Sequence, residues 1–100
     1  MTTKPVTVSN ALGLHARAAA RFVHLATQFS SQISVGRDGK VMDGKSIMGI
    51  LLLAAARGTT LMISAEGLDE AAAVDALVRL VESGFGEPTT SVEPGDTWNA

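Results

Sequence analysis

A chain of 100 residues with a net charge of −2 and no cysteine makes one domain, or one domain with a tail. Disulfides, thiolate catalysis and thiolate metal sites are excluded, and eight lysines and arginines without a basic cluster argue against nucleic acid as a partner. The N-terminal MTTKPVTVSNALG lacks a continuous apolar run, and the longest apolar window, Ile47 to Ala56, is broken by Gly49, so neither a secretory signal nor membrane insertion is expected and the expected location is the cytoplasm.

Val6 and Val8 alternate with Thr7 and Ser9, the pattern of a short half-buried strand. A polar turn around Asn10 follows. From Ala16 the period changes: Ala19, Phe22, Val23, Ala26 and Phe29 share one stripe, and Arg17, Arg21, His24 and Gln28 share the other. That spacing predicts an amphipathic helix of about three turns.

Ile33 and Val35 restart the strand pattern, and Val41 continues it after Asp38-Gly39, a strong hairpin signal. Asp43-Gly44 then leads to Lys45-Ser46, where Ser46 suits the N-cap of a helix from Ile47 that stops before Gly58. Thr60 to Ala65 alternates again, with Leu61, Ile63 and Ala65 on one face. Asp69 is the expected cap of the last helix, whose stripe is Leu68, Ala71, Val74, Leu77 or Val78, and Val81; Asp75 and Arg79 are spaced for a solvent-side ion pair. Gly84 ends that helix. The remaining FGEPTTSVEPGDTWNA has two prolines and little periodicity, so residues 1–84 are expected to form the domain and 85–100 a flexible C-terminal extension. Trp98 stands alone in it.

Strands connected by helices in this order suggest an α+β open-faced sandwich, a four-stranded antiparallel sheet with three helices on one face. The helix from Ile47 is apolar almost all round, whereas a helix on an open sheet needs one apolar stripe. Some of Ile47, Met48, Leu51 and Leu52 should therefore be exposed as a protein-docking patch; a tightly enclosed short helix or a dimer contact is the alternative.

The stretch GLHARAAAR places His15 at the start of the first helix, beside unpaired backbone N–H groups and with Arg17 two residues on. A helix start and a guanidinium both favour an anion and disfavour an imidazolium. A neutral ring nitrogen there is a nucleophile that could accept a phosphoryl group, whose oxygens would meet the N–H donors and Arg17. A surface histidine acting as an imperfect cap fits the same residues, and local chemistry does not choose. His15 and His24 alone make no metal site, no paired carboxylates or triad suggest hydrolysis, and the glycines lack P-loop spacing; no metal or cofactor is expected.

Asn10-Ala11-Leu12-Gly13-Leu14-His15-Ala16-Arg17 resembles the active-site stretch of HPr, the histidine-containing phosphocarrier family of the bacterial sugar phosphotransferase system. Lys45-Ser46-Ile47-Met48-Gly49 resembles the regulatory-serine segment of the same family, and the resemblance covers about residues 4 to 84. It implies that His15 accepts phosphoryl from phosphorylated Enzyme I at the ring Nδ1 and passes it to an EIIA domain, with Arg17 helping to accommodate the oxygens. It implies too that Ser46 is a target of an HPr kinase/phosphorylase where one exists, and that Leu14, Ile47 and Met48 lead a docking surface. Leu51, Leu52, Arg21 and His24 would join that surface, the last two facing acidic partner groups. Such a chain is a monomeric carrier rather than an independent turnover enzyme. A nitrogen-related or purely regulatory paralogue, and a binding module whose histidine is not phosphorylated, are the alternatives. The family usually has proline after the arginine; this chain has Ala18, which keeps the helix and adds an N–H donor.

Overall fold

The computed structural model describes residues 1–86; the expected extension beyond Gly86, with Trp98, lies outside the described residues. Strand β1 (Thr2–Thr7), helix α1 (Ala16–Ala26), strands β2 (Gln32–Arg37) and β3 (Lys40–Asp43), helix α2 (Ile47–Leu52), strand β4 (Thr60–Glu66) and helix α3 (Glu70–Glu82) follow in chain order. The strands lie as β1-β4-β2-β3, every pair antiparallel, with Lys4 opposite Ile63 and Val35 opposite Ile63 and Met42. The fold is thus the open α+β arrangement expected, a four-stranded antiparallel sheet with three helices.

Period-2 burial selects the inner face of the sheet: Val6 and Val8, Ile33 and Val35, and Leu61, Ile63 and Ala65 are buried. Helix α1 covers them with Ala18, Ala19, Phe22, Val23 and Ala26, and α3 with Ala73, Val74, Leu77 and Val81. Burial of this apolar face supplies the main drive to fold. Asp38 and Gly39 both take left-handed backbone, φ 48 and 83, as the two-residue hairpin joining β2 to β3 requires.

Several boundaries differ from those expected. Strand β1 starts at Thr2 because the polar Thr2-Thr3-Lys4 segment pairs with β4, although it carries no apolar alternation; Pro5 is tolerated on this edge strand. Helix α1 ends at Ala26, and Phe29 packs against the core from the following turn. Helix α2 ends at Leu52 instead of continuing toward Gly58. Ala54 turns the backbone into the left-handed region, φ 50, and Arg37 Nη1 donates to the carbonyls of Leu53 and Ala54, each at 3.0 Å.

Asp69 makes no side-chain cap of α3. Its carboxylate accepts the backbone N–H groups of Ser30 (2.8 Å) and Ser31 (3.0 Å) and the Ser31 hydroxyl. Leu68, expected on the apolar stripe, is fully exposed. Asp75 and Arg79 do pair, at 3.2 Å on the surface. Phe85, assigned above to the extension, is buried in the core from a left-handed turn at φ 56, and Arg21 Nη1 donates to its carbonyl. Among the described residues no helix is long and apolar enough to cross a membrane.

Candidate functional site

The loop between β1 and α1 is built from its own turn outward. Asn10 is fully buried; its Nδ2 donates to the Gly13 carbonyl at 2.9 Å, and the Gly13 N–H donates to the Asn10 carbonyl at 3.2 Å. Gly13 has φ +66, and a Cβ there would lie 2.6 Å from the Ala55 carbonyl oxygen; only glycine fits this approach. The next residue fastens the loop twice. The Leu14 N–H donates to that Ala55 oxygen at 2.9 Å, and the Leu14 side chain enters the core.

His15 is the N-cap of α1. Its backbone is extended (φ −84, ψ 179), its N–H donates to Gly13 O at 2.9 Å, and its carbonyl accepts Ala19 N–H at 2.9 Å. Its ring Nδ1 accepts the backbone N–H of Arg17 at 3.2 Å. An accepting Nδ1 is unprotonated, so a neutral ring carries its proton on Nε2. The in-plane lone pair of Nδ1 is thereby aimed at the start of α1. No acidic residue lies in the first turn of that helix, and the Arg17 side chain is exposed beside it. A nucleophilic nitrogen therefore faces backbone donors and the positive end of a helix dipole, with a guanidinium at hand.

Ser46 caps α2 as expected, its Oγ accepting Gly49 N–H at 3.0 Å from a half-buried position. The neighbouring Lys45 ammonium is committed to the Phe29 carbonyl at 2.8 Å. In α2, Gly49 and Ile50 are buried while Ile47, Met48 and Leu52 keep 45%, 67% and 57% of their surface exposed. Leu51 packs partly against the core.

One expected docking residue is corrected: Leu14 is 6% exposed and belongs to the core, because it is the anchor that seats the histidine loop. Leu12 is 71% exposed, an exposure the sequence did not announce, since a single leucine in a polar turn gives no periodic signal. Arg21 is tied to the Phe85 carbonyl, whereas His24 is exposed, its Nε2 3.5 Å from Gln28 Nε2. Arg37, which the sequence did not single out, donates to the turn after α2 that the histidine loop packs against. The two strongly shifted carboxylates lie where β1 begins, at the other end of the sheet from His15. Hydrogen bonds from the Ser31 hydroxyl and the Ser30 N–H hold Asp69 down at about 2. The Thr2 hydroxyl and Gly67 N–H likewise hold Glu70 at about 2. Among the described residues no three metal-ligating His, Asp or Glu side chains converge.

The family model described as PTS HPr component phosphorylation site matches residues 2–83. The phosphocarrier protein HPr of Cupriavidus necator is 46% identical over 87 residues, covering 87% of this chain and 98% of that protein. HPr of Pseudomonas aeruginosa is 47% identical over 88 residues, with the same shares covered. A crystal structure of HPr-C-His from Thermoanaerobacter tengcongensis superposes with a TM-score of 0.84 at 50% identity, over 87% of this chain and 98% of that one.

Proposed function

Because this chain belongs to the HPr family of phosphocarriers, we propose that the phosphoryl group it carries is bonded to Nδ1 of His15. Phosphocarriers of this family move phosphoryl from Enzyme I to an EIIA domain and are not independent enzymes. The observation that supports the atom is the Arg17 N–H bond to Nδ1: in it Nδ1 is the acceptor, with its lone pair pointed along the helix start.

In the transfer, the Nδ1 lone pair attacks phosphorus on phosphorylated Enzyme I. A P–N bond forms at His15 as the bond from phosphorus to the donor breaks, and the electron pair of that bond leaves with Enzyme I. The nitrogen gives up its hydrogen bond as it becomes bonded to phosphorus, so the Arg17 N–H is released to the incoming oxygens beside the other first-turn N–H groups of α1. The Arg17 guanidinium, exposed and bound to no partner among the described residues, closes on the same oxygens. Reversal of these steps with an EIIA acceptor empties the site. Ala18 adds a third backbone donor to this first turn.

Partner proteins dock on the exposed apolar surface of α2, Ile47, Met48 and Leu52, together with Leu12 from the histidine loop. His24 and the outer part of Arg21 contribute the polar side of the same surface. Ser46 is the regulatory position, read by an HPr kinase/phosphorylase: phosphate on its Oγ would set charge beside Ile47 and Met48 and weaken docking. The cytoplasm is where such a carrier works.

Intact-mass analysis after incubation with phosphoenolpyruvate and Enzyme I tests the assignment. Wild type should gain one acid-labile phosphoryl group and His15→Ala none. Transfer that survives in His15→Ala would remove His15 from the role; no transfer to folded wild type from active Enzyme I would favour a regulatory binding module.

A further inference from the structure

Arg37 ends β2, far along the chain from His15, and its guanidinium is divided between two tasks. Nε and Nη2 hold the Asp38 carboxylate at 3.1 and 2.9 Å. Nη1 donates to the carbonyls of Leu53 and Ala54, both at 3.0 Å. Those carbonyls belong to the turn that stops α2, where Ala54 sits at φ 50, a conformation that disfavours any residue with a Cβ. The carbonyl immediately after them, Ala55 O, is the acceptor for Leu14 N–H at 2.9 Å. Gly13 lies so close over that oxygen that a Cβ would stand 2.6 Å away.

The geometry points to Arg37 as a positioning residue for the phosphoryl acceptor: it holds the 53–55 turn in the conformation that presents Ala55 O to Leu14, and so fixes the peptide from which the His15 ring is hung. This rests on the assignment of Nδ1 made above. The local sequence supplies the alternative that Arg37 opposes. Leu51-Leu52-Leu53-Ala54-Ala55-Ala56-Arg57 is built of strong helix formers, and one further turn of α2 would swing the Ala54 and Ala55 carbonyls onto the helical path, parallel to the helix axis. Leu14 would then lose its acceptor and Gly13 its close packing surface. A planar fork that binds a carboxylate on one edge and two carbonyls with another nitrogen suits this task; a lysine, with a point charge, fills it only in part.

The test compares Arg37→Met, which keeps an apolar stem, with Arg37→Lys and with Ser31→Ala, which weakens the Asp69 bonds at the other end of the sheet. Enzyme I-dependent phosphorylation is resolved into kcat and KM, alongside hydrogen exchange of the Leu14 amide and ring ¹⁵N shifts of His15. Arg37→Met should lower kcat about tenfold with KM within about twofold, release Leu14 amide protection and shift the His15 ring nitrogens. Arg37→Lys should recover part of each loss, and Ser31→Ala should leave all three unchanged. Wild-type kcat, Leu14 protection and ring shifts in Arg37→Met would overturn the role, as would a kcat loss that Ser31→Ala reproduces at equal loss of stability. If wild type carries its phosphoryl elsewhere than His15, the Nδ1 assignment falls by itself. The amide and ring signals then still decide whether Arg37 holds the loop.

Discussion

His15 Nδ1 accepts the backbone N–H of Arg17 at 3.2 Å, so the ring is oriented by the peptide of the residue whose side chain is proposed to receive the phosphoryl oxygens. In the proposed assignment, cap and nucleophile are the same nitrogen. A cap must present a lone pair to a helix start, and a phosphoryl acceptor at a helix start needs that same lone pair unprotonated. In the proposed transfer the bond is also self-releasing: once Nδ1 carries phosphorus, the Arg17 N–H that it satisfied turns to the new oxygens.

Leu14 and Met48 separate seating from docking. Leu14→Ala should cost about 2–5 kcal/mol of stability, since the side chain leaves a cavity in the core beneath the histidine loop. Met48→Ala should leave stability within about 0.5 kcal/mol, because that side chain is exposed, yet raise KM for Enzyme I several-fold with kcat nearly unchanged. Urea denaturation and steady-state phosphorylation of both variants measure the contrast. A Met48→Ala protein with wild-type KM would take Met48 off the docking surface.

Ser46→Ala removes the acceptor for Gly49 N–H and should destabilise by about 1 kcal/mol, a fall in Tm of roughly 4–8 °C for a domain of this size. Ser46→Asp can keep the cap, so its Tm should stay nearer wild type. Its charge beside Ile47 and Met48 should nevertheless weaken Enzyme I binding more than Ser46→Ala does. Calorimetry and titration calorimetry on the pair give both numbers; equal binding by the two variants would remove the charge effect assigned to a phosphate there.

Asp69 ties the start of α3 to the segment leading into β2, and the sign of its pH effect follows from its low pKa. The Ser31 hydroxyl and Ser30 N–H bind the ionised carboxylate and hold it at about 2. Its contribution is therefore fully present above the ordinary carboxylate range and is lost as pH falls from that range toward 2. Asp69→Asn should be less stable than wild type at pH 7, and the gap should narrow steadily between about pH 5 and 2. Urea midpoints of the two proteins across that window show it. A gap that stays constant down to pH 2 would mean that the hydrogen-bond geometry matters and the charge does not.

What was legible in the sequence is what neighbours in the chain decide. The Ser46 cap, the Asp38-Gly39 hairpin, the stripe of α1 and the placing of His15 at a helix start each depend on residues within a turn or two. Misplaced features depend on partners far along the chain. Asp69 looked like a cap of its own helix, but two peptides and a hydroxyl near Ser31 compete successfully for its carboxylate. The run after Leu52 is helical by composition, yet Arg37 and Leu14 hold the carbonyls of Leu53, Ala54 and Ala55 in the turn that replaces a longer α2. Phe85 follows a helix-ending glycine and precedes a polar tail, so nothing local announces that its ring completes the core. Leu14 and Leu12 flank one glycine and look alike; only the docking of the loop on Ala55 turns one inward and leaves the other outside.

The central claim is that Nδ1 of His15 carries the phosphoryl group. It is met most directly by ³¹P–¹⁵N correlation on protein labelled in its histidine rings and phosphorylated through Enzyme I. The account predicts a single phosphorus coupled to Nδ1 of His15, with Nε2 still bearing its proton and the His24 ring unchanged. Phosphorus coupled to Nε2 of His15, or to either nitrogen of His24, would contradict it.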